Sequence, residues 1–391
     1  MQQQASDRIW TKSFISLSLI QLFIFIVFYA LLTTLPLYVI HDLGGSNASA
    51  GLVVTVMLVA AIVIRPFSAK LLDIFGKKKM LIGVLLLYAG TTVLYLLIEQ
   101  LVPLLLVRFL HGVSFGIITT TTGAIAASII PESRKGAGMG YFAMAMNLAM
   151  VFGPFLGLLL VQRASFQTLF YVLSAFMLIS VIASFLIQLD EDERPAVDLR
   201  IRLHDLIEVR AIPAGIISGL IGFSYASILS FVPVYAEQLG IGHISSYFFL
   251  MFAAVMLLSR PALGRAFDIQ GPKKVLVPSL FVFGVGLWAL GLTGSGLLFL
   301  VAAALIGLGY GTLLPGFQTI SIQSTTPERS SHAISTFFIF YDLGIASGAY
   351  VWGQTVASAG FPTMYMGAGT LMFLTIGVFY RYMHRHANEL L

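Results

Sequence analysis

Five ionisable side chains lie deep inside long apolar stretches of this chain: Arg65, Arg108, His111, Arg260 and Asp342. Placing a charge in a bilayer core costs about 3 kcal/mol or more even on a lenient scale, so each requires a reason. Asp342 is the one carboxylate near the middle of such a stretch, which makes it the leading candidate for a proton site. A desolvated aspartate titrates near neutral pH, whereas an adjacent arginine holds it charged. The alternative for Asp342 is a structural partner for an arginine. His111 follows Arg108 on the same helix face. It is either a cavity residue that titrates near neutrality or a hydrogen-bonded residue in a helix interface. Arg108 has no acid nearby in its own segment or the next, which leaves a substrate anion, a backbone carbonyl or Asp342 as its counter-group. There is no nucleophile–base pair, no His/Asp/Glu metal cluster and no phosphate-cradling glycine loop. An enzyme is not expected, nor a metal or cofactor. The chemistry on offer is proton capture and release, driven by a proton gradient.

The elements that must position these groups follow from composition. Hydrophobic residues make up 58% of the 391-residue chain and charged residues 10%, against about 25% charged in soluble domains. A bilayer core of about 30 Å needs roughly 20 apolar residues per helix. Twelve runs of that length are present: 14–39, 48–72, 79–98, 102–128, 137–161, 167–188, 212–236, 245–268, 275–293, 296–323, 332–357 and 363–383. They are too long for barrel strands, and each must satisfy its own backbone hydrogen bonds, so they are helices. The first is too long for the core of a cleaved signal and reads as a retained span. The chain has no cysteine, so disulfides and thiolate metal sites are excluded. The net charge of +5 is spread over short loops, not one face, so nucleic acid is not an expected partner.

The chain also repeats itself. Arg65-Pro66, Asp73, Gly76, Lys78 and Lys79 recur as Arg260-Pro261, Asp268, Gly271, Lys273 and Lys274, an offset of 195 that also carries Gly112 and Gly116 onto Gly307 and Gly311. Two homologous halves of an apolar chain are a common plan of secondary transporters, with the substrate site between the halves. The expected domains are 1–188, a linker 189–211 and 212–391. Lys and Arg collect around loops 2–3, 4–5, 6–7 and 8–9 and at both ends, which places the termini and the central loop in the cytoplasm. The linker opens on Asp190-Glu191-Asp192-Glu193, and its later part, with Leu199, Ile201, Leu203, Leu206 and Ile207 among charges, reads first as a solvated tie between the two bundles and second as a short helix on the membrane surface.

At these residues the chain resembles the major facilitator superfamily over essentially its whole length. The segment Ala69 to Lys79 is similar to the family's Gly-x-x-x-Asp-x-x-Gly-Arg-Lys motif, with Ala69 in the glycine's place and Asp73, Gly76, Lys77 and Lys78 fitting. Loop 8–9 repeats it with Gly264, Asp268 and Gly271. Arg108-Phe109-Leu110-His111-Gly112 is similar to the Arg-x-x-Gln-Gly motif of proton-coupled members, with His111 replacing glutamine. Gly140, Gly153-Pro154 and Gly157 resemble the helix-5 motif of the exporter branches, from which Ala149 and Leu158 depart. The resemblance implies an all-α integral membrane protein, twelve transmembrane helices in two pseudo-symmetric six-helix bundles. It implies a cytoplasmic latch in which Asp73 caps the positive N-terminus of helix 11, near Ser330 or Ser331. The lysines beside it would bind carboxylates or lipid headgroups. Glycines at 153 and 157, with a bend at Pro154, suit helices that pack closely and tilt.

By the same resemblance the cavity is lined from helix 1 by Gln21, Phe25, Phe28 and Tyr29, from helix 4 by Phe115, from helix 7 by Tyr225, and from helix 10 by Tyr310 and Gln318. Helices 5, 8 and 11 add Met144, Asn147, Met251, Phe338 and Tyr341. Arg65 is expected to pair with Asp342 where the two halves meet, with Arg108 as its rival, and Arg260 to face Asn147 at the position the repeat maps onto Asp342. An offset of 196, set by Pro131-Glu132 and Pro327-Glu328, would instead place Met146 there. The function these features imply is proton-coupled efflux of small amphipathic molecules, drug-like or metabolite, by a monomer in the cell inner membrane. The second reading is a dedicated exporter of an anionic metabolite such as a metallophore, or of a sugar. Helix 1 carries no acid, unlike several exporters of lipophilic cations, which suits neutral, zwitterionic or anionic substrates.

Overall fold

The computed structural model describes residues 8–131, 135–189, 207–325 and 330–385. Among them there is no strand. The helices are α1 Lys12–His41, α2 Asn47–Phe75, α3 Lys77–Leu94, α4 Leu101–Ile129, α5 Lys135–Arg163 and α6 Phe166–Phe185. They continue with α7 Ile212–Gln238, α8 Ser245–Gln270, α9 Pro272–Gly291, α10 Gly296–Gln323 and a final run Ser330–Arg385. That last run holds two helices, α11 (330–359) and α12 (361–385), because Gly360 breaks it with φ 81° and ψ 171°. Only glycine adopts that conformation cheaply, and Pro362 two residues on favours a fresh helix start. The twelve expected helices are therefore all present, with ends shifted by a few residues: most run longer than expected, whereas α3, α6 and α9 stop at Leu94, Phe185 and Gly291, short of the expected 98, 188 and 293.

Local chemistry explains the ends. Thr11, Ser165 and Ser295 cap α1, α6 and α10, each side-chain oxygen accepting a backbone N–H three residues on. Gly76 and Gly271 separate α2 from α3 and α8 from α9 at φ 80° and 82°. Many outward side chains are large and apolar, such as Leu97, Leu106, Leu258 and Leu297. Water would not tolerate so much exposed hydrocarbon, and a bilayer requires it.

The chain divides into two compact units, Met1–Leu43 with Val56–Arg200, and Gly44–Thr55 with Ile201–Leu391. In unit 1, α1 packs on α5 and α6, and α3 on α4 and α6. In unit 2, α7 packs on α11, α8 on α10, and α9 on α10 and α12. The first turns of α2 belong to unit 2: Thr55 Oγ1 donates to the Ala346 carbonyl at 2.7 Å, and a Cβ on Gly51 would strike the Ala349 carbonyl. Unit 2 is entered through the turn Val209–Ala211, where the Glu208 amide donates to Thr336 Oγ1 at 2.8 Å. The acidic run and the apolar-charged stretch up to residue 206, for which a surface helix is the second reading, lie outside the described residues, in 190–206.

The repeat is a repeat of contacts. In unit 1 a Cβ on Gly112 would strike the Met57 carbonyl, and one on Gly116 would meet Ala61. In unit 2 the same holds for Gly307 and the Phe252 carbonyl, and for Gly311 and Met256. Each partner in unit 2 sits at the sequence offset that relates Gly112 to Gly307. The shared spacing thus encodes one close crossing, α2 on α4 and α8 on α10, used twice.

Candidate functional site

Unit 1 buries a polar cluster between α3 and α4. Arg108 and His111 are both 0% exposed. Tyr95 joins them: its hydroxyl lies 2.8 Å from His111 Nδ1, and Arg108 Nη1 donates to the same oxygen at 3.5 Å. In the arrangement where the phenol donates to Nδ1, the ring proton of a neutral His111 is on Nε2. That Nε2 is buried with no hydrogen-bond partner among the described residues. The Tyr88 ring lies 4.1 Å from the imidazole, and its hydroxyl donates to the Ile24 carbonyl at 3.1 Å. His111 thus sits as a hydrogen-bonded residue of a helix interface. Arg108 meets a phenol that was absent from its three expected counter-groups. Both tyrosines were missed in the sequence. The available signal was their spacing, two helical turns apart on α3 and the short turn that ends it.

The same places in unit 2 are apolar. Phe283, Leu290, Ala303 and Ile306 stand at the offset from Tyr88, Tyr95, Arg108 and His111, and all four are buried. Bundle packing therefore works without polar groups here, and the unit 1 cluster is an addition that carries a desolvation cost.

Beside the cluster, Phe115 stacks on Phe28 at 4.2 Å and meets Phe25 edge-on at 5.4 Å. Thr122 Oγ1 donates to Gln21 Oε1 at 2.7 Å, joining α4 to α1, and Tyr29 packs edge-on against Phe28. Unit 2 has the corresponding stack. Tyr310, the counterpart of Phe115, lies on Tyr225 at 4.2 Å, and its hydroxyl bonds that of Tyr341 in α11. Asp342 follows Tyr341 and is 8% exposed. Of the other expected lining residues, Met144 and Met251 are exposed and Gln318 and Phe338 half-buried.

The helix-5 residues form a close contact within unit 1. A Cβ on Gly153 would lie 2.7 Å from the Tyr29 Cβ, and one on Gly157 3.1 Å from Thr34 Cγ2. Pro154 is accommodated inside α5, and Gly140 lies in its first turns. In unit 2, Gly348, the counterpart of Gly153, lies against the Phe223 carbonyl of α7.

The loop lysines act within their own bundles. Lys78 Nζ donates to the carbonyls of Ser184 and Ile187 at the end of α6. Its counterpart Lys273 lies 4.4 Å from the centroid of the Tyr380 ring in α12. Each ties the start of one helix to the end of the last helix of its unit. Lys77 is half-buried at the start of α3. The side chains of Asp73, Asp268, Asn147, Ser330 and Ser331 lie outside the described residues. Arg65 is half-buried in α2 of unit 1, and Asp342 belongs to unit 2. Arg260 lines a cavity of about 190 Å³ between α8 and α10. Among the described residues no group of three or more His, Cys, Asp or Glu could hold a metal.

The comparisons agree with this architecture. The sequence model of the Major Facilitator Superfamily matches residues 17–269 and 247–390. The multidrug resistance protein MdtG of Klebsiella pneumoniae is 27% identical over 359 residues, covering 88% of this chain and 86% of that protein. A POT family transporter solved with a thioalcohol-conjugated peptide superposes with a TM-score of 0.77 at 14% identity, covering 95% of this chain and 96% of that one. The nucleoside transporter NupG superposes with a TM-score of 0.72 at 15% identity, covering 94% of this chain and 99% of that one. The chain belongs to the major facilitator superfamily and is a membrane transporter, not an enzyme.

Proposed function

We propose that this transporter exports small amphipathic molecules in exchange for protons. The observation that carries the reading is Asp342, a nearly buried carboxylate in mid-helix that follows Tyr341, itself bonded to Tyr310 in a buried tyrosine cluster of unit 2. An intramembrane acid is a functional group by default, and proton relay is one of its established uses. The multidrug resistance relative supports efflux as the direction. The distribution of Lys and Arg supports cytoplasmic termini in the cell inner membrane, and the protein is proposed to act as a monomer.

Purified protein in proteoliposomes with an imposed pH gradient tests this. Gradient-driven flux of a drug-like substrate is expected for the wild type. Asp342→Asn should abolish it while substrate binding persists. Undiminished driven flux in that variant would remove Asp342 from the mechanism. A second reading, export of an anionic metabolite, is favoured by one observation, the absence of any acid from α1. In the same assay it requires competition by anionic solutes in preference to neutral ones.

A further inference from the structure

We infer that unit 2 contains a separate binding site for a small oxyanion, a phosphate or carboxylate group, built around Arg260 in the cavity between α8 and α10. The cavity is about 190 Å³ and its wall includes Arg260, Gly264, Gly311, Thr312, Pro315 and Thr319. That volume suits one phosphate or a short carboxylate. It falls below the range of about 300–1,000 Å³ usual for drug-sized ligands, which separates it from a site for transported amphipathic molecules.

The donors and acceptors fit an oxyanion. The guanidinium presents a planar fork matched to two oxygens of one anion. Among the described residues Arg260 forms no hydrogen bond or ion pair, and its side chain is half-buried. Thr312 Oγ1 lies 2.7 Å from Ser279 Oγ, so when Ser279 donates, the Thr312 proton is available to a ligand. Pro315 has no N–H, so the Gly311 carbonyl one turn earlier loses its helical donor and stands as an acceptor for a protonated oxygen.

Gly264 supplies an independent argument. A glycine inside a helix costs about 0.5–1 kcal/mol relative to alanine. Gly311 and Gly307 repay that by close packing, but a Cβ on Gly264 would meet nothing within 4 Å. Gly264 lies one turn from Arg260 on the same face of α8, so the missing side chain leaves the space beside the guanidinium open. The repeat does not produce this arrangement by itself. Unit 1 has Ala69, Ile117 and Thr120 where unit 2 has Gly264, Thr312 and Pro315.

The oxyanion has two sources, a free anion from water or the headgroup of an acidic phospholipid. Full-length protein in detergent is titrated calorimetrically with inorganic phosphate and with acetate at constant ionic strength, chloride being the control. The same protein is reconstituted in bilayer discs of phosphatidylcholine with and without phosphatidylglycerol, and bound lipid is counted by native mass spectrometry. Saturable phosphate or acetate binding, weakened at least about tenfold in Arg260→Gln, supports the site with a free anion as ligand. One phosphatidylglycerol retained per wild-type chain, and lost in Arg260→Gln, supports it with a lipid headgroup as ligand. Gly264→Leu keeps the arginine, fills the cavity and adds a good helix former, so it should lose binding equally without loss of fold. Wild-type protein that binds neither probe, or variants that bind as well as wild type, would overturn the proposal.

Discussion

Replacing Tyr95 by phenylalanine removes one oxygen from the core of unit 1 and keeps the ring that stacks on Phe170. That oxygen is 2.8 Å from His111 Nδ1 and accepts from Arg108 at 3.5 Å. The long contact to Arg108 contributes little, so the main loss is at the imidazole, left with a buried nitrogen unsatisfied. Such a group costs about 1–3 kcal/mol. Taking about 2 kcal/mol, and about 2–4 °C per kcal/mol for a unit of this size, the unfolding midpoint should fall by about 4–8 °C. Thermal unfolding of purified protein in detergent, followed by tyrosine and tryptophan fluorescence, measures this. His111→Ile copies Ile306, which is buried at the equivalent place in unit 2. Combined with Tyr95→Phe it removes both ends of the bond, so the double variant should be less destabilised than the sum of the singles by about 1–2 kcal/mol. A Tyr95→Phe variant as stable as wild type, or strictly additive losses, would refute the assignment of this hydrogen bond as the organising contact of the cluster.

The repeated helix crossing makes a paired prediction. Gly112→Val and Gly307→Val should each lower the yield of folded protein severely, because both side chains run into a neighbouring carbonyl, of Met57 or of Phe252. Normal size-exclusion profiles for either would contradict the close approach. The paired lysines should differ in weight. Lys78→Met leaves two carbonyls without their charged donor and should cost about 1–3 kcal/mol, whereas Lys273→Met loses an exposed cation–π contact of about 0.5–1 kcal/mol. Unfolding midpoints of the two variants compare them directly, and equal shifts would argue against the strut at Lys78.

Much of the fold was legible along the chain. Apolar run length determined the twelve helices, because a bilayer leaves a segment little choice but to satisfy its own backbone. The turns at Gly76, Gly271 and Gly360 were legible as glycines beside charged or proline residues. The repeat was legible too, since a crossing as close as Met57 on Gly112 tolerates no side chain and must keep its glycine at each occurrence. The place of Arg108, His111 and Asp342 well inside long helices followed from counting residues. What a helix faces did not follow. Membrane helices are apolar on every side, so periodicity carries no strong signal of rotation about the helix axis. Only the packing of α3 on α4 brings Tyr88 and Tyr95 to His111. Only the end of α6 turns Lys78 from an orientation signal into a cap for its carbonyls. Only the spacing of α8 and α10 opens a cavity beside Arg260. Those choices belong to the tertiary structure, because a buried polar group is defined by the partner that reaches it from another helix.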